Sequence, residues 1–324
     1  MTDIDFPARA AIDAAIRAPS PHNTQPWWFE VTGNRIDVFL DRDRVLAVAD
    51  PDAREARLSC GAAIFNMRLA LHAAGRTSAA HLLPDRQHPD HVATVRIAAP
   101  RPPTPNDLAL ARAIGYRRSN RRPFTDRPVP ERVRQALCHA AREEGGQLIV
   151  LNRPGDLDAV AALLRRAEHL QSQDPEFQAE LHAWTVADGG RDDGVPGIAG
   201  GPRPAHGSLL ALRYYATGLA TPERPFEQDP LVAVLNSYTD TPLAQIRTGQ
   251  AMQRVLLTAT TAGVSASFLS QPVEIPASRQ ALRGLLGGTS HPQVVLRFGY
   301  GFTAPATRRR SVDEVTRTHQ EVGG

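Results

Sequence analysis

The segment Ala18-Pro19-Ser20-Pro21-His22-Asn23-Thr24-Gln25-Pro26-Trp27 is the stretch on which the reading of this chain turns. Its prolines fix φ and restrict the residues before them. Ser20 and Asn23 carry short side chains that satisfy nearby backbone N–H groups. Read alone, it is a rigid loop. Read as a ligand edge, it is preorganised: polar side chains and a tryptophan held between prolines have few conformations to lose on binding. Upstream, Ala8 to Ala18 carries Ala11, Ile12, Ala15 and Ile16 on one helical side, and Pro19 and Pro21 stop that helix. Downstream, Trp27 to Val31 and Ile36 to Leu40 read as a strand pair around Thr32-Gly33-Asn34.

A second helix is expected from about Asp52 to Ala74. Its centre, Gly61-Ala62-Ala63-Ile64-Phe65-Asn66-Met67, is apolar on most sides, which predicts burial between layers. Gly75 ends it, a strand follows at His91 to Ala98, and Pro100 to Pro105 is a connector. The second half opens with a helix from Pro105 to Tyr116 and the basic run Arg117-Arg118-Ser119-Asn120-Arg121. Helices over Val129 to Arg142, Leu157 to Leu170 and Thr248 to Ala262 are expected, with strands at Gln147 to Leu151 and Gln293 to Phe298. The Gly/Pro-rich stretch Asp188 to Gly207 is too long for an ordinary connector and reads as a lid or a disordered segment.

The halves resemble one another. Gly61 to Gly75 and Gly249 to Gly263 share a length and a small-then-large apolar filling, and each precedes a strand: Val92-Ala93-Thr94-Val95-Arg96-Ile97 in one half, Gln293-Val294-Val295-Leu296-Arg297-Phe298 in the other. The expected division is residues 1–104 and 105–324, with an insertion at about 172–230 in the second part.

Composition sets bounds. The 324 residues are 42% hydrophobic and 22% charged, as in ordinary globular proteins, and long enough for a large core. All 37 basic side chains other than histidine are arginine. Without lysine, no complete Walker A loop, pyridoxal Schiff base or serine–lysine dyad can form. Anions must be held by arginine forks or backbone N–H groups. Cys60 and Cys138 are too few for a disulfide framework or a cysteine-based zinc site. The start lacks a basic, then apolar leader, and no apolar run spans a bilayer, so a reducing cytoplasm is the expected compartment. A net charge of +3 without aromatic interleaving argues against nucleic acid.

Four segments carry chemistry, each with a bland alternative. Arg117, Ser119 and Arg121 alternate, so in extended backbone they share one side and form a phosphate clamp; the alternative is a solvated basic loop. Arg308-Arg309-Arg310 either joins that clamp or is a basic tail. Ser270-Gln271-Pro272-Val273-Glu274 is either a connecting loop or a backbone edge facing a flat polar ring. The fourth is the opening loop.

Together these segments resemble the nitroreductase superfamily, whose members hold FMN at a homodimer interface. The family's Arg-x-Ser, Phe and Pro-Val-Pro pattern is similar to Arg117-Arg118-Ser119, Phe124 and Pro128-Val129-Pro130. Its Pro-Ser-x-x-Asn-x-Gln-Pro-Trp pattern is similar to Pro19 to Trp27, and its Pro-Ile-Glu-like loop to Gln271 to Glu274. The Pro-Ser-x-His-Asn form resembles the mycobacterial Acg-like branch. In family members the Arg-x-Ser segment precedes the Asn segment by one helix; here it follows about a hundred residues later. Fusion of two subunits with complementary losses explains that order.

The resemblance therefore implies an α+β, nitroreductase-like fold of two pseudo-repeats mimicking the family homodimer, with a lid-like insertion in the second. It implies one FMN per chain and a monomer. Arg117, Ser119, Arg308 and Arg310 are expected on the phosphate, and Arg121 nearer the ring, where a cation favours the anionic reduced flavin. Gln271, Pro272, Val273 and Glu274 are expected along the ring, with Pro19, Ser20, His22, Asn23 and Gln25 reaching it from the other repeat. The flavin carries the chemistry, so no catalytic residue and no metal is assigned. The implied function is an NAD(P)H-dependent oxidoreductase acting on a nitroaromatic or quinone. The competing function is a catalytically silent FMN-sequestering protein whose lid stays shut. An unrelated hydrolase finds no support from a Gly-x-Ser-x-Gly elbow or a His-Glu-x-x-His helix.

Overall fold

The computed structural model describes residues 5–187, 190–210, 212–215 and 223–317. The first half runs α1 (Phe6–Ala15), β1 (Trp27–Thr32), β2 (Arg35–Leu40), α2 (Arg54–Ala73), β3 (Arg76–Leu82) and β4 (His91–Pro100). After α3 (Pro105–Tyr116), the second half begins with α4 (Glu131–Glu143), β5 (Gln147–Val150) and α5 (Asp156–Gln173). An irregular stretch follows: α6 (Pro175–Ala183), β6 (Thr185–Val186), β7 (Val195–Pro196), α7 (Gly197–Gly200), β8 (Arg203–Pro204) and β9 (Glu223–Arg224). The chain then forms β10 (Leu231–Ser237), α8 (Pro242–Thr261), β11 (Ser265–Phe268), α9 (Gln271–Glu274), α10 (Pro276–Leu285), β12 (His291–Gly299), α11 (Val312–Val315) and β13 (Thr316–Arg317).

The architecture is α+β. One sheet has the order β13-β1-β2-β4-β3, the other β11-β12-β10-β5. Within each the neighbours are antiparallel, except β13, which adds parallel to β1 through Phe29↔Thr316 and Glu30↔Arg317. Read from β5, the second sheet has the order β5-β10-β12-β11, which is the order β1-β2-β4-β3 of the first. In each half the long helix falls between the second and third strands in sequence.

Those long helices, α2 and α8, cross at the centre of the molecule. Both are buried on most sides, as an all-round apolar helix requires. Two glycines make the crossing. A Cβ on Gly61 would stand 2.1 Å from the Ile246 carbonyl oxygen, and one on Gly249 would stand 2.0 Å from the Leu58 carbonyl oxygen. Only glycine lets the backbones approach so closely. One continuous core joins both halves across this crossing, with Ile64, Met67, Ile246 and Leu256 among its members.

The sequence reading and the structure differ in several elements, and three of them bear on the central helix pair and the sheets. α8 begins at Pro242 rather than Thr248, because Thr241 Oγ1 accepts from Ala244 N–H at 3.3 Å and Pro242 suits the first turn. β10 is buried almost throughout, so it lacks the period-2 alternation that announces a strand. β3 is an edge strand of small and polar residues with the same silence.

The irregular stretch lies against the first half. Phe177, Leu181, Val195, Ala199 and Tyr215 form a small core with Leu46 and Ala49. Glu180 accepts from Val48 and Ala49 N–H groups at 3.1 and 2.9 Å, and Arg44 is paired with Asp193. Positions 188–189, 211 and 216–222, parts of the expected insertion, fall outside the described residues. Among the described residues, no helix is long and apolar enough to cross a membrane.

Candidate functional site

A cleft opens between the halves. Pro19, Ser20 and His22 of the opening loop form one edge, and Glu55 and Ser59 of α2 part of the floor. Facing them are Ser119 and Arg121, Ser267 and Phe268 of β11, and Gln271, Val273 and Glu274 of α9. Leu212, Arg213 and Tyr215 form the remaining wall. Five segments far apart in sequence thus meet at one place.

The opening loop is strained. His22, Asn23 and Gln25 all have left-handed backbone, with φ of 47°, 59° and 53°. Such conformations cost about 1–3 kcal/mol each outside glycine and collect at functional sites. The Ser20 hydroxyl holds the loop closed by accepting from Gln25 N–H at 2.9 Å. Trp27 is fully buried beneath it.

His22 lies in the cleft wall with its ring edge-on to Tyr215, centroids 5.7 Å apart. Its Nδ1 is buried without a hydrogen-bond partner among the described residues. Burial first, then the nearby Arg213 cation, drives its pKa down to about 3, so it is neutral at physiological pH. Arg121 stacks over the other side of the Tyr215 environment, 4.8 Å from the ring centroid, and donates to the Ala199 carbonyl at 3.1 Å.

Glu274 and Arg213 form a buried pair, with Nη1 to Oε1 at 3.0 Å and Gln171 also donating to the carboxylate. Burial opposes the carboxylate, but Arg213 outweighs it and keeps the Glu274 pKa below its ordinary value. Glu55 differs. Its Oε1 accepts from Arg54 at 2.8 Å, yet desolvation dominates and raises its pKa to about 8.

Beside the cleft, Arg117 of the expected clamp meets not Arg308 or Arg310 but Arg309, around Ala18. Arg117 is buried; its Nε and Nη1 have no partner, and Nη2 reaches the Arg17 carbonyl at 3.5 Å. Arg309 reaches the neighbouring Ala18 carbonyl at 3.5 Å and likewise has an unpartnered, buried Nε. Burial, then repulsion from Arg118 and Arg121, depresses Arg117 to about 10, and burial, then repulsion from Arg117, Arg118 and Arg17, depresses Arg309 to about 9. Buried N–H donors left unpaired within a knot of like charge need an anion.

Of the residues singled out in the sequence, Pro19, Ser20, His22, Ser119, Arg121, Gln271, Val273 and Glu274 line the cleft. Asn23, Gln25, Arg117, Pro272, Arg308 and Arg310 do not. Asn23 donates to the Gly194 and Arg308 carbonyls at 3.0 and 3.1 Å. Gln25 donates to the Asp192 carbonyl at 2.9 Å and accepts from Arg310 N–H at the same distance. Arg308 pairs with Asp192, and Arg310 lies near Asp41. Pro272 is buried in the first turn of α9, which forms a short helix where an open edge was expected.

Several residues enter the site without having been expected. Glu55 is the single acidic residue of α2, a signal the sequence did hold. Arg213 and Tyr215 sit in a stretch with no periodicity to read. Arg297 of β12 is fully buried and supports the basic loop from below: it donates to the Asn120 and Arg122 carbonyls at 3.3 and 2.9 Å and to Glu227 at 2.6 Å. Glu227 in turn accepts from Phe124 N–H at 2.9 Å.

Comparison with known proteins gives this geometry a family. A Mycobacterium tuberculosis protein named "Putative NAD(P)H nitroreductase Rv3131" is 33% identical over 97% of this chain and 92% of its own length. Another from the same organism, "Putative NAD(P)H nitroreductase acg", is 32% identical over 95% of this chain and 94% of its own. A solved nitroreductase with bound FMN from Desulfitobacterium hafniense DCB-2 is 14% identical with a TM-score of 0.43, over 65% of this chain and 98% of that one. The family model for the nitroreductases matches residues 114–300, more than half of the sequence and the part that supplies the basic loop, α8 and α9. The chain belongs to the nitroreductase family.

Proposed function

We propose that this protein binds one FMN in the cleft between its halves and uses it as an NAD(P)H-dependent oxidoreductase on a nitroaromatic or quinone acceptor. The observation that carries the reading is the pairing of a cleft walled by both halves with a knot of unpartnered guanidinium donors at its margin. The donor set fits the cofactor. Arg117 and Arg309, with Ser119, would hold its phosphate. Arg121, Gln271, Val273 and Glu274 would border its ring, and Pro19, Ser20 and His22 would reach it from the first half. When bound, the flavin would supply the two-electron chemistry. Asn23, Gln25, Arg308 and Arg310 would act indirectly, by fixing the backbone of the loop and of Arg309.

The same reading takes residues 1–104 and 105–324 as two fused repeats, one chain doing the work of a dimer. The matching strand orders and the reciprocal Gly61–Gly249 contact support it. It takes the stretch at about 172–230 as a lid, supported by Asn23, Gln25 and Arg44 of the first half, which grip its backbone or Asp193. A cytoplasmic setting agrees with two unpaired cysteines.

One observation favours the second reading, sequestration. Leu212, Arg213 and Tyr215 occupy a wall of the cleft, and Arg213 is locked onto Glu274. A lid held in that way would bar the second substrate. Anaerobic visible spectra before and after NADPH, then NADH, separate the two. Bleaching of a flavin band supports turnover. A band that persists with both donors but yields to dithionite supports sequestration. A colourless protein that takes up no FMN overturns both.

A further inference from the structure

The cleft is lined by one carboxyl that the reading above leaves without a task. Glu55 stands in the first turn of α2, fully packed, at the floor of the cleft. Its Oε1 accepts from Arg54 at 2.8 Å. Glu274 on the opposite wall differs in kind: both its oxygens are engaged by Arg213 and Gln171. Two carboxyls with opposed environments in one site is the pattern that separates a proton donor from a fixed charge.

Behind Glu55 lies a second, open cleft of about 1330 Å³. Val273 and Glu274 belong to the walls of both clefts, so the partition between them is one side chain thick there. Arg54 seals the rest, donating to the Gln293 and Val273 carbonyls at 2.7 and 3.2 Å. Asp50 opens onto the second cleft and caps α2, accepting from Glu55 and Ala56 N–H groups at 2.9 and 2.8 Å.

We infer that Glu55 is the internal proton donor of the cleft, delivering a proton to the acceptor during its reduction and regaining one from water on the side of the second cleft. The inference rests on the FMN reading. With a quinone acceptor, the reduced cofactor contributes a hydrogen and two electrons to one quinone oxygen. Glu55 contributes its carboxyl proton to the other. The products are hydroquinone, oxidised cofactor and the Glu55 carboxylate, which water in the second cleft reprotonates. The groups facing Glu55 fix its ionisation. Burial raises its pKa most, the Arg54 cation opposes, the Glu274 and Asp50 carboxylates raise it further, and the more remote Arg213 opposes again. At pH 7 it holds a proton, as a general acid must.

The test is Glu55→Gln, which keeps shape and hydrogen bonding but has no proton to give. Infrared spectra of the wild-type protein without flavin are expected to show a protonated-carboxyl C=O band at pH 7 that titrates away near pH 8, and E55Q to lack it. A band absent at pH 7 in the wild type, or retained in E55Q, overturns the inference. With FMN bound and photoreduced, quinone reduction by the wild type is expected to slow above about pH 8. E55Q is expected to be about a hundredfold slower and flat across that range. Unchanged rates in E55Q with FMN bound overturn the inference and leave the function standing. Failure of the wild type to take up FMN overturns the function itself, and the donor role with it.

Discussion

Replacing Gly61 by alanine tests the central claim of the fold, that two helix backbones touch where both residues are glycine. The new Cβ would meet the Ile246 carbonyl oxygen at 2.1 Å. An ordinary contact requires the helices to part by roughly 1 Å, and a gap of that size forfeits about a quarter to a half of each dispersion contact along the crossing. The buried residues that pay are Leu58, Ile64, Met252 and Val255. Overpacking of this kind costs about 1–3 kcal/mol, occasionally more, while alanine returns about 1 kcal/mol of helix propensity. The expected net loss is about 1–2 kcal/mol by urea unfolding. Gly284→Ala is the control: it sits in α10 with open space around the new methyl, so it is expected to gain about 0.5–1 kcal/mol. Gly249→Ala forces the same gap from the other side, so the double variant is expected to lose less than the two singles combined. G61A as stable as the wild type, or losses in the double variant that simply add, would refute the close-contact argument.

Three further outcomes are expected. Because burial holds the His22 pKa near 3 in the fold against 6.5 in the open chain, unfolded protein binds the extra proton between those values. Stability should therefore be complete above pH 6.5 and fall as the pH drops toward 3, by up to about 1.4 kcal/mol per unit, and His22→Gln should flatten that slope in urea titrations. Arg309→Gln should weaken FMN binding about tenfold or more in fluorescence titrations, whereas Arg308→Gln, on a solvent-facing pair with Asp192, should change it little. Arg297→Met leaves Glu227 buried and unpaired and should cost about 3–5 kcal/mol; equal stability by denaturant melt would deny the pair its structural role.

What the sequence disclosed follows from where its signals are local. Prolines and the Asn-Thr-Gln run mark the opening loop, and eight residues chosen from the motifs do line the cleft. What it withheld depends on long-range placement. In the tail, alternate side chains point to opposite sides, and nothing within Arg308-Arg309-Arg310 says which parity faces the protein. The structure turns Arg309 toward Ala18 and Arg117, Arg308 outward to Asp192, and Arg310 toward Gln25 and Asp41. Asn23 and Gln25 were expected to face a ligand, but they bind carbonyls of residues 192 and 194, a choice set by a segment more than a hundred residues away. Arg213 and Tyr215 could not be read at all, since their stretch has no period and reaches the cleft only by folding back over the first half.

The crossing also bears on why one cleft should suffice. Setting Gly61 against Gly249 places each residue of α2 opposite a counterpart in α8. Glu55 then corresponds to Leu243, Leu58 to Ile246, and Ser59 to Arg247. The polar pair at the cleft floor has no equivalent: Leu243 carries no ionisable group, and Arg247 points to solvent. The counterpart of Met252, which helps line the cleft, is Ile64, fully buried in the shared core. An approximate two-fold arrangement of strands and helices therefore encloses an unsymmetrical set of side chains. The basic loop is supplied by the second half, the strained loop by the first, and the proposed proton donor by the first alone. On the proposed reading of two fused repeats with one site, the face without a site would be free for packing, adding apolar burial at the core while the cleft keeps its polar floor.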